Sequence, residues 1–309
     1  MDVVRGHERC PAWSGAAVAI GNFDGVHAGH RALIARTREL AAANGDAKAV
    51  ALTFDPHPSM LFAPHAAEPR ISSLARRLEL LEEAGVDAVV VEPFTRELAG
   101  RAAHAFVDDI VLGSLRACAI VVGYDFNYGA GRTGTAEALR AHGARAGIEV
   151  AIVPPVEVGG EVASSTRIRD YLRAGDVAGA ERLLCRPWDI DGEVVHGAKR
   201  GRAIGIPTAN IAPTSDLLLA PGIYAVTASI DRGAPLPAVA SLGTNPTFVD
   251  QGGLVLEVHL LDWEGDLYGR TLRTTFVARL REERKFANVD ELVAQIHGDI
   301  ADARAVLAR

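Results

Sequence analysis

His27 and His30 stand three residues apart in Gly21-Asn22-Phe23-Asp24-Gly25-Val26-His27-Ala28-Gly29-His30. That spacing lets both imidazoles face one side of a helix start. Free backbone N–H groups and the positive end of the helix dipole make such a start suited to an anion. A site that binds a triphosphate and stabilises charge on its α-phosphorus needs donors of this kind. The same residues also fit a structural turn with capping or surface histidines, and by themselves they leave the two readings open. A metal centre would lack a third ligand nearby.

Other stretches carry candidate chemistry. Ser164-Ser165-Thr166-Arg167-Ile168-Arg169 lies at a second expected helix start. Ser or Thr there is commonly an N-cap; hydroxyls with Arg169 can also clamp phosphate oxygens. Thr53–Pro58 and Gly123–Gly129 place aromatic residues in loops after strands, for packing or for stacking on a planar ring. Gly129-x-Gly131-x-x-Gly134 has the dinucleotide spacing but follows an aromatic loop late in the alternation, so it is a chance match.

Further on, Gly197, Gly201 and Gly205 recur every four residues among Lys199, Arg200 and Arg202. A loop whose backbone approaches a ligand closely has this pattern; so does a basic β-turn with incidental glycines. Thr208 and Asn210 point the same way in an extended segment and carry oxygens suited to Mg²⁺. In 254–261, Leu254, Leu256, Val258 and Leu260 share one face while Glu257 and His259 share the other. A lone outward Glu is ordinarily just solvated.

These residues need elements to hold them. Apolar runs predict strands over 16–20, 47–54, 86–91, 118–122 and 148–153, alternating with helices over 31–44, 74–84, 102–112 and 136–146. The alternation predicts an α/β fold with a parallel sheet, and ligands of such sheets bind beyond the carboxyl ends of the strands. Helices over 166–173 and 177–184 follow. Cys185-Arg186-Pro187 breaks the pattern, which places domains at 1–186 and 187–309. Val-, Leu- and Thr-rich runs over 190–196, 224–230, 254–261 and 271–280 predict a small antiparallel barrel. Leu292, Val293, Ile296, Ile300, Ala303 and Leu307 form the stripe of an amphipathic C-terminal helix.

Bulk properties narrow the class. The chain has 309 residues, 49% hydrophobic and 23% charged, with net charge −7. This composition fits a soluble globular protein and gives no support to a nucleic-acid partner. Cys10, Cys118 and Cys185 form no metal or C-x-x-C pattern. Charges at Asp2, Arg5, Glu8 and Arg9 leave no signal-peptide core, and no run is long enough to span a membrane. A cytoplasmic location is expected. Whether the chain forms a homo-oligomer is left open.

The motifs also carry a resemblance. Gly-x-Phe-Asp-Gly-x-His-x-Gly-His resembles the nucleotide-binding signature of the nucleotidyltransferase superfamily, and Ser-Ser-Thr-x-Ile-Arg matches its second signature throughout. The resemblance implies a Rossmann-like sheet in which Gly21, Phe23, Asp24, Gly25, His27, His30, Ser165, Thr166 and Arg169 bind ATP. The histidines would stabilise the transition state, and Arg169 would hold the leaving pyrophosphate. Residues 53–58 and 123–129 resemble flavin-site loops of the prokaryotic FAD synthetase module, which implies flavin contacts for Phe54, Asp125, Phe126 and Tyr128. Asn127 and Tyr128 stand where the common form has Arg and Phe; stacking survives that change, a charge contact does not.

Gly-x-Val-x-His-Gly (192–197), Gly-Arg-x-x-Gly-x-Pro-Thr-Ala-Asn (201–210) and Gly-Thr-Asn-Pro-Thr (243–247) resemble riboflavin kinase. The implied ATP contacts are Gly197, Lys199, Gly201, Gly205, Thr208 and Asn210, with Thr208 and Asn210 also on Mg²⁺. Glu257 falls at the family's catalytic carboxylate. Arg281 is a flavin-site candidate, with a surface ion-pair cluster as the alternative. In this order the two resemblances are those of the bifunctional prokaryotic riboflavin kinase/FAD synthetase family. They imply that riboflavin is converted to FMN and then to FAD, each step using ATP; a single retained activity or a non-catalytic flavin binder are the rivals. On this reading Arg169→Ala lowers adenylyl transfer by orders of magnitude in a pyrophosphate-release assay; an unchanged rate discards the role.

Overall fold

The computed structural model describes residues 1–62, 67–197, 201, 204–244 and 254–308. By contact the chain divides into two units, Met1–Pro69 with Leu74–Ser164, and Arg70–Ser73 with Ser165–Arg309.

The strands of the first unit are β1 (Asp2–Arg5), β2 (Ala16–Ile20), β3 (Lys48–Asp55), β4 (Ala88–Pro93), β5 (Ala117–Gly123), β6 (Asn127–Tyr128), β7 (Gly134–Thr135), β8 (Glu149–Val153), β9 (Glu157–Val158) and β10 (Glu161–Val162). Six of them pair in the order β1-β4-β3-β2-β5-β8, every pair parallel. β6–β7 and β9–β10 are two-stranded hairpins. The central strands are apolar on both faces because helices cover both. Val18 and Ile20 of β2 join the Phe106, Val107 and Leu139 side of the core. Ala17 and Ala19 face the helices Ala28–Ala43 and Leu74–Ala84, through Leu33, Ile34 and Leu80.

From β2 the chain winds out through β3 to β4, then returns to the other side of β2 for β5 and β8. The winding reverses between β2 and β5. At such a switch point the loops leaving the carboxyl ends turn opposite ways and open a crevice. The Gly21–His27 loop leaves β2 and the Tyr124–Phe126 loop leaves β5.

In this unit β1 and the helix expected over 102–112 depart from the sequence expectation. β1 is a mostly exposed four-residue edge strand, Asp2-Val3-Val4-Arg5, held by parallel pairing to β4, and its two valines are too short a run to mark a strand. The helix expected over 102–112 is a short turn, Ala103–Ala105, continued as a π-helix over Phe106–Ser114. Its wider winding carries Leu115 N–H to Ile110 O at 2.9 Å.

In the second unit β11 (Trp188–Val195), β12 (Ala209–Pro213), β13 (Gly222–Ile230), β14 (Pro235–Thr244), β15 (Leu254–Leu260) and β16 (Thr271–Arg281) close an antiparallel barrel in the order β11-β12-β15-β14-β13-β16. Trp188, Tyr224 and Phe276 are fully buried, with ring centroids 5.2 and 5.4 Å from Phe276. Trp188 Nε1–H donates to Ile71 O at 2.9 Å, within the short segment that joins this unit. The expected C-terminal helix spans Val289–Leu307 and covers Ile223, Ala225 and Val239 with Ile300 and Ala303. Among the described residues no helix is long and apolar enough to cross a membrane.

That helix carries a buried charge that the apolar stripe hides. Asp299 is 3% exposed. Arg281 donates Nε to its Oδ1 at 2.8 Å and Nη2 to its Oδ2 at 2.7 Å, and Gln295 Nε2 donates to Oδ1 at 2.8 Å. Removing one partner of a buried pair strands the other. Asp299→Ala should cost the second unit about 3 kcal/mol in denaturant unfolding. A loss below about 0.5 kcal/mol, the range of neutral surface changes, would contradict the clamp.

Candidate active sites

The loop after β2 is folded against its own preferences. Phe23, Gly25 and Val26 all have positive φ, at 51°, 80° and 46°. Glycine takes that conformation freely; a β-branched residue resists it. Phe23 and Val26 are fully buried, and their packing holds the backbone where local sterics would not. Asp24 and His27 are buried as well.

His27 is the N-cap of the helix Ala28–Ala43, which begins three residues before the expected start. Its Nδ1 accepts the Gly29 N–H at 3.1 Å. In the neutral ring the proton then sits on Nε2, so one imidazole both caps the helix and keeps a donor on its other edge. His30 stacks on it, centroids 3.7 Å apart and planes at 24°, with the Phe23 ring edge-on at 5.3 Å. Burial, then the charges of His27 and Arg77, hold the His30 proton affinity well below the usual imidazole value. Its Nδ1 is buried without a hydrogen-bond partner. The arrangement supplies fixed neutral donors at a helix start, as charge developing on a phosphate requires.

Three aromatic residues gather at the ends of β3 and β4: Phe54 meets Phe94 edge to face at 5.7 Å, and Phe62 meets Phe94 at 6.1 Å. Phe94 and Phe62 carry no motif and escape sequence reasoning; Phe62 is 71% exposed, a ready stacking face. After β5, Phe126 and Tyr128 stack at 5.4 Å. Tyr128 is buried against Phe106, and burial raises its phenol. Asp125 stays exposed in the loop. The glycines of the chance dinucleotide spacing are packing positions: a Cβ on Gly129 would strike Ala103, and one on Gly134 the Tyr128 ring.

Ser165, Thr166 and Arg169 lie on the helix Ser165–Ala174, in the second unit by contact. Arg169 is buried on its packed side with Ile168 and Leu172. Two residues upstream, the Ala163 carbonyl passes 3.5 Å from where a Cβ would stand on Gly29.

On the barrel, the strand register explains the glycines. Asn210 of β12 pairs with Glu257 of β15, which pairs on its other side with Ser241 of β14. Alternation buries Leu256 and Val258 inside and leaves Glu257 and His259 outside. A Cβ on Gly197 would collide with the Asn210 amide. One on Gly201 would strike the Ile206 carbonyl and stand 3.4 Å from the Thr208 hydroxyl. Gly205 has φ 77°. His259 Nδ1 meets the Pro207 carbonyl at 2.7 Å; a carbonyl only accepts, so the ring donates and secures the entry to Thr208. Thr208 and Asn210 thus present hard oxygens from a cradle that larger residues would fill. Among the described residues no cluster of three His, Cys, Asp or Glu could hold a metal alone. Two side-chain oxygens completed by phosphates and water suit Mg²⁺.

The guanidinium of Arg281 is taken up by Asp299, and its strand register runs through Ile223 and Ser241 to Glu257. Glu283 lies over Gly243, where a Cβ would meet its carboxylate; burial raises that carboxyl against the pull of Arg281. Lys199 and the Asn-Pro-Thr of 245–247 lie outside the described residues.

His30 makes the first unit sensitive to acid. Its folded proton affinity lies below the ordinary value of 6.5. Between those two values the unfolded chain binds the extra proton, so stability is full above pH 6.5 and falls as pH drops through the window. Imidazole NMR should find His30 neutral at pH 6; titration near 6.5 would contradict the buried stack.

The comparisons with known proteins follow the same division. A family model for FAD synthetase matches residues 10–167, and one for riboflavin kinase matches residues 184–307. A bifunctional riboflavin kinase/FMN adenylyltransferase of Pseudomonas fluorescens is 41% identical over 309 residues, covering 100% of this chain and 98% of its own. A relative of the same name from Escherichia coli K12 is 40% identical over 308 residues, with 98% and 97% covered. A crystal structure from Streptococcus pneumoniae, reported as a macrolide-efflux protein, superposes with a TM-score of 0.87 at 32% identity, covering 98% of this chain and 99% of that one. That name stays with that protein. Two family models in tandem and relatives matched from end to end make this chain a member of the bifunctional riboflavin kinase/FMN adenylyltransferase family.

Proposed function

We propose that this chain makes FAD in two transfers: ATP phosphorylates riboflavin to FMN, and a second ATP adenylylates FMN, releasing pyrophosphate. One observation carries the reading. Two unlike sets of groups stand in separate folded units of one chain, stacked imidazoles at a helix start and a carboxylate whose residue lies opposite Asn210 in the strand register of a barrel wall.

Adenylyl transfer is assigned to residues 1–186 and kinase work to 187–309. In the kinase half, Glu257 takes the proton of the riboflavin 5′-hydroxyl as that oxygen attacks the γ-phosphorus, and ADP leaves. Gly197, Lys199, Gly201 and Gly205 line the phosphates. Thr208 and Asn210 would hold Mg²⁺, which screens phosphate charge when bound. Arg281 has the lesser task of bracing the flavin side from its clamp with Asp299.

In the other half a phosphate oxygen of FMN attacks the α-phosphorus of ATP and pyrophosphate departs. His27 and His30 donate to the α-phosphate oxygens, where charge grows. Gly21, Phe23, Asp24 and Gly25 shape the loop around ATP, and Ser165, Thr166 and Arg169 hold the leaving phosphates. Phe54, Phe126 and Tyr128 form the apolar side of the flavin site, with Asp125 at its edge. Neither transfer forms a covalent enzyme intermediate; positioning and charge neutralisation supply the catalysis. Both substrates and ATP are available in the cytoplasm, where the reading places the protein.

Chromatography of riboflavin, FMN and FAD over time separates the steps. Glu257→Gln should slow FMN formation by about 10²–10⁴-fold, the usual worth of a general base, while conversion of supplied FMN to FAD continues. Loss of both steps in a folded variant would count against the assignment.

A further inference from the structure

Arg77 belongs to the helix Leu74–Ala84 and is 2% exposed. Its Nη1 donates to the Asn22 carbonyl at 2.7 Å and lies 3.3 Å from Thr53 Oγ1 and 3.4 Å from the Phe54 carbonyl. The Thr53 hydroxyl also donates to Asn22 O, at 3.1 Å. Asn22 opens the loop after β2, whereas Thr53 and Phe54 end β3. One guanidinium therefore ties the phosphate loop to the neighbouring strand.

The consequence follows from peptide geometry. A trans peptide aims its N–H opposite to its C=O. Fixing Asn22 O on the Arg77 side turns the Phe23 N–H to the other side. Phe23, Gly25 and Val26 then pass through positive φ, a run that persists only where surroundings over-determine it. Burying a guanidinium is costly, and an apolar residue of that size would fill the space more cheaply. What the guanidinium supplies there is its reach to two strand ends at once, Asn22 O on one side and Thr53 and Phe54 on the other.

We propose that Arg77 is a positioning residue of adenylyl transfer: it pins the Asn22 carbonyl to β3, which fixes the loop N–H groups and the histidine pair for the ATP phosphates. The inference rests on reading the first unit as the adenylyltransferase. Arg77 is not itself assigned a contact with substrate.

The test uses the full chain with Arg77→Met, which removes fork and charge, and Arg77→Lys, which keeps charge and a donor. Arg77→Met should lower kcat/KM for FAD formation by about 10²-fold, the scale of a small misplacement of reacting groups. The KM for ATP should rise while that for FMN holds. Arg77→Lys should recover part of the loss, and riboflavin phosphorylation by the same molecules should match wild type. Wild-type ATP kinetics in Arg77→Met would overturn the proposal; so would losses in both variants that simply track the unfolded fraction. If Arg77→Met does not fold, Arg77→Lys decides alone: a raised ATP KM at unchanged melting temperature supports the role, and an unchanged KM overturns it. A wild-type chain that makes FMN but no FAD would remove the adenylyltransferase reading, and the inference with it.

Discussion

A triphosphate concentrates negative charge in a small volume, and donors that meet it must be fixed before it arrives. The candidate site of each unit draws its backbone where side chains resist going. In the first, Val26 is held at positive φ so that the loop turns tightly into a helix start. In the second, Gly197 and Gly201 leave the space that the Asn210 amide and the Ile206 carbonyl occupy. Neither arrangement is favourable locally; each persists because a rigid scaffold surrounds it.

The scaffolds differ, and so do their chemical styles. A parallel sheet whose winding reverses between β2 and β5 opens a crevice at strand ends and offers helix dipoles and backbone donors. The single bond from Gly29 N–H to His27 Nδ1 then fixes the helix start, the tautomer and the direction of the remaining donor together. A closed barrel has no strand ends in that sense, and its candidate residues lie on the outer wall, where antiparallel register sets Asn210 beside Glu257. A carboxylate at such a wall can act as a base, whereas the His27 ring, its Nδ1 already accepting the Gly29 N–H, turns a donor to its other edge.

Much of this was legible in the sequence, because the period of apolar residues is what burial selects. The βα alternation, the outward placement of Glu257 and His259, and the helix Val289–Leu307 follow from that period. The strand β14 does not: it opens with Pro235 and Pro237, which read as loop. β12 hides behind the ligand-like segment that precedes it, and β1 is a short exposed edge with only two apolar residues. Charges that the fold buries are the hardest to foresee. Arg77 and Asp299 look like solvated helix residues until their partners arrive from elements far along the chain. The same holds for Tyr128, whose motif suggests a stacking face but whose ring is mostly spent on Phe106 and Phe126.

The central claim is that one polypeptide holds two separate ATP sites of different construction. Calorimetric titration with a non-hydrolysable ATP analogue and Mg²⁺ tests it most directly. Two nucleotides per chain are predicted, with Glu257 left in place and neither flavin present. Saturation at one nucleotide per fully folded chain would contradict the account.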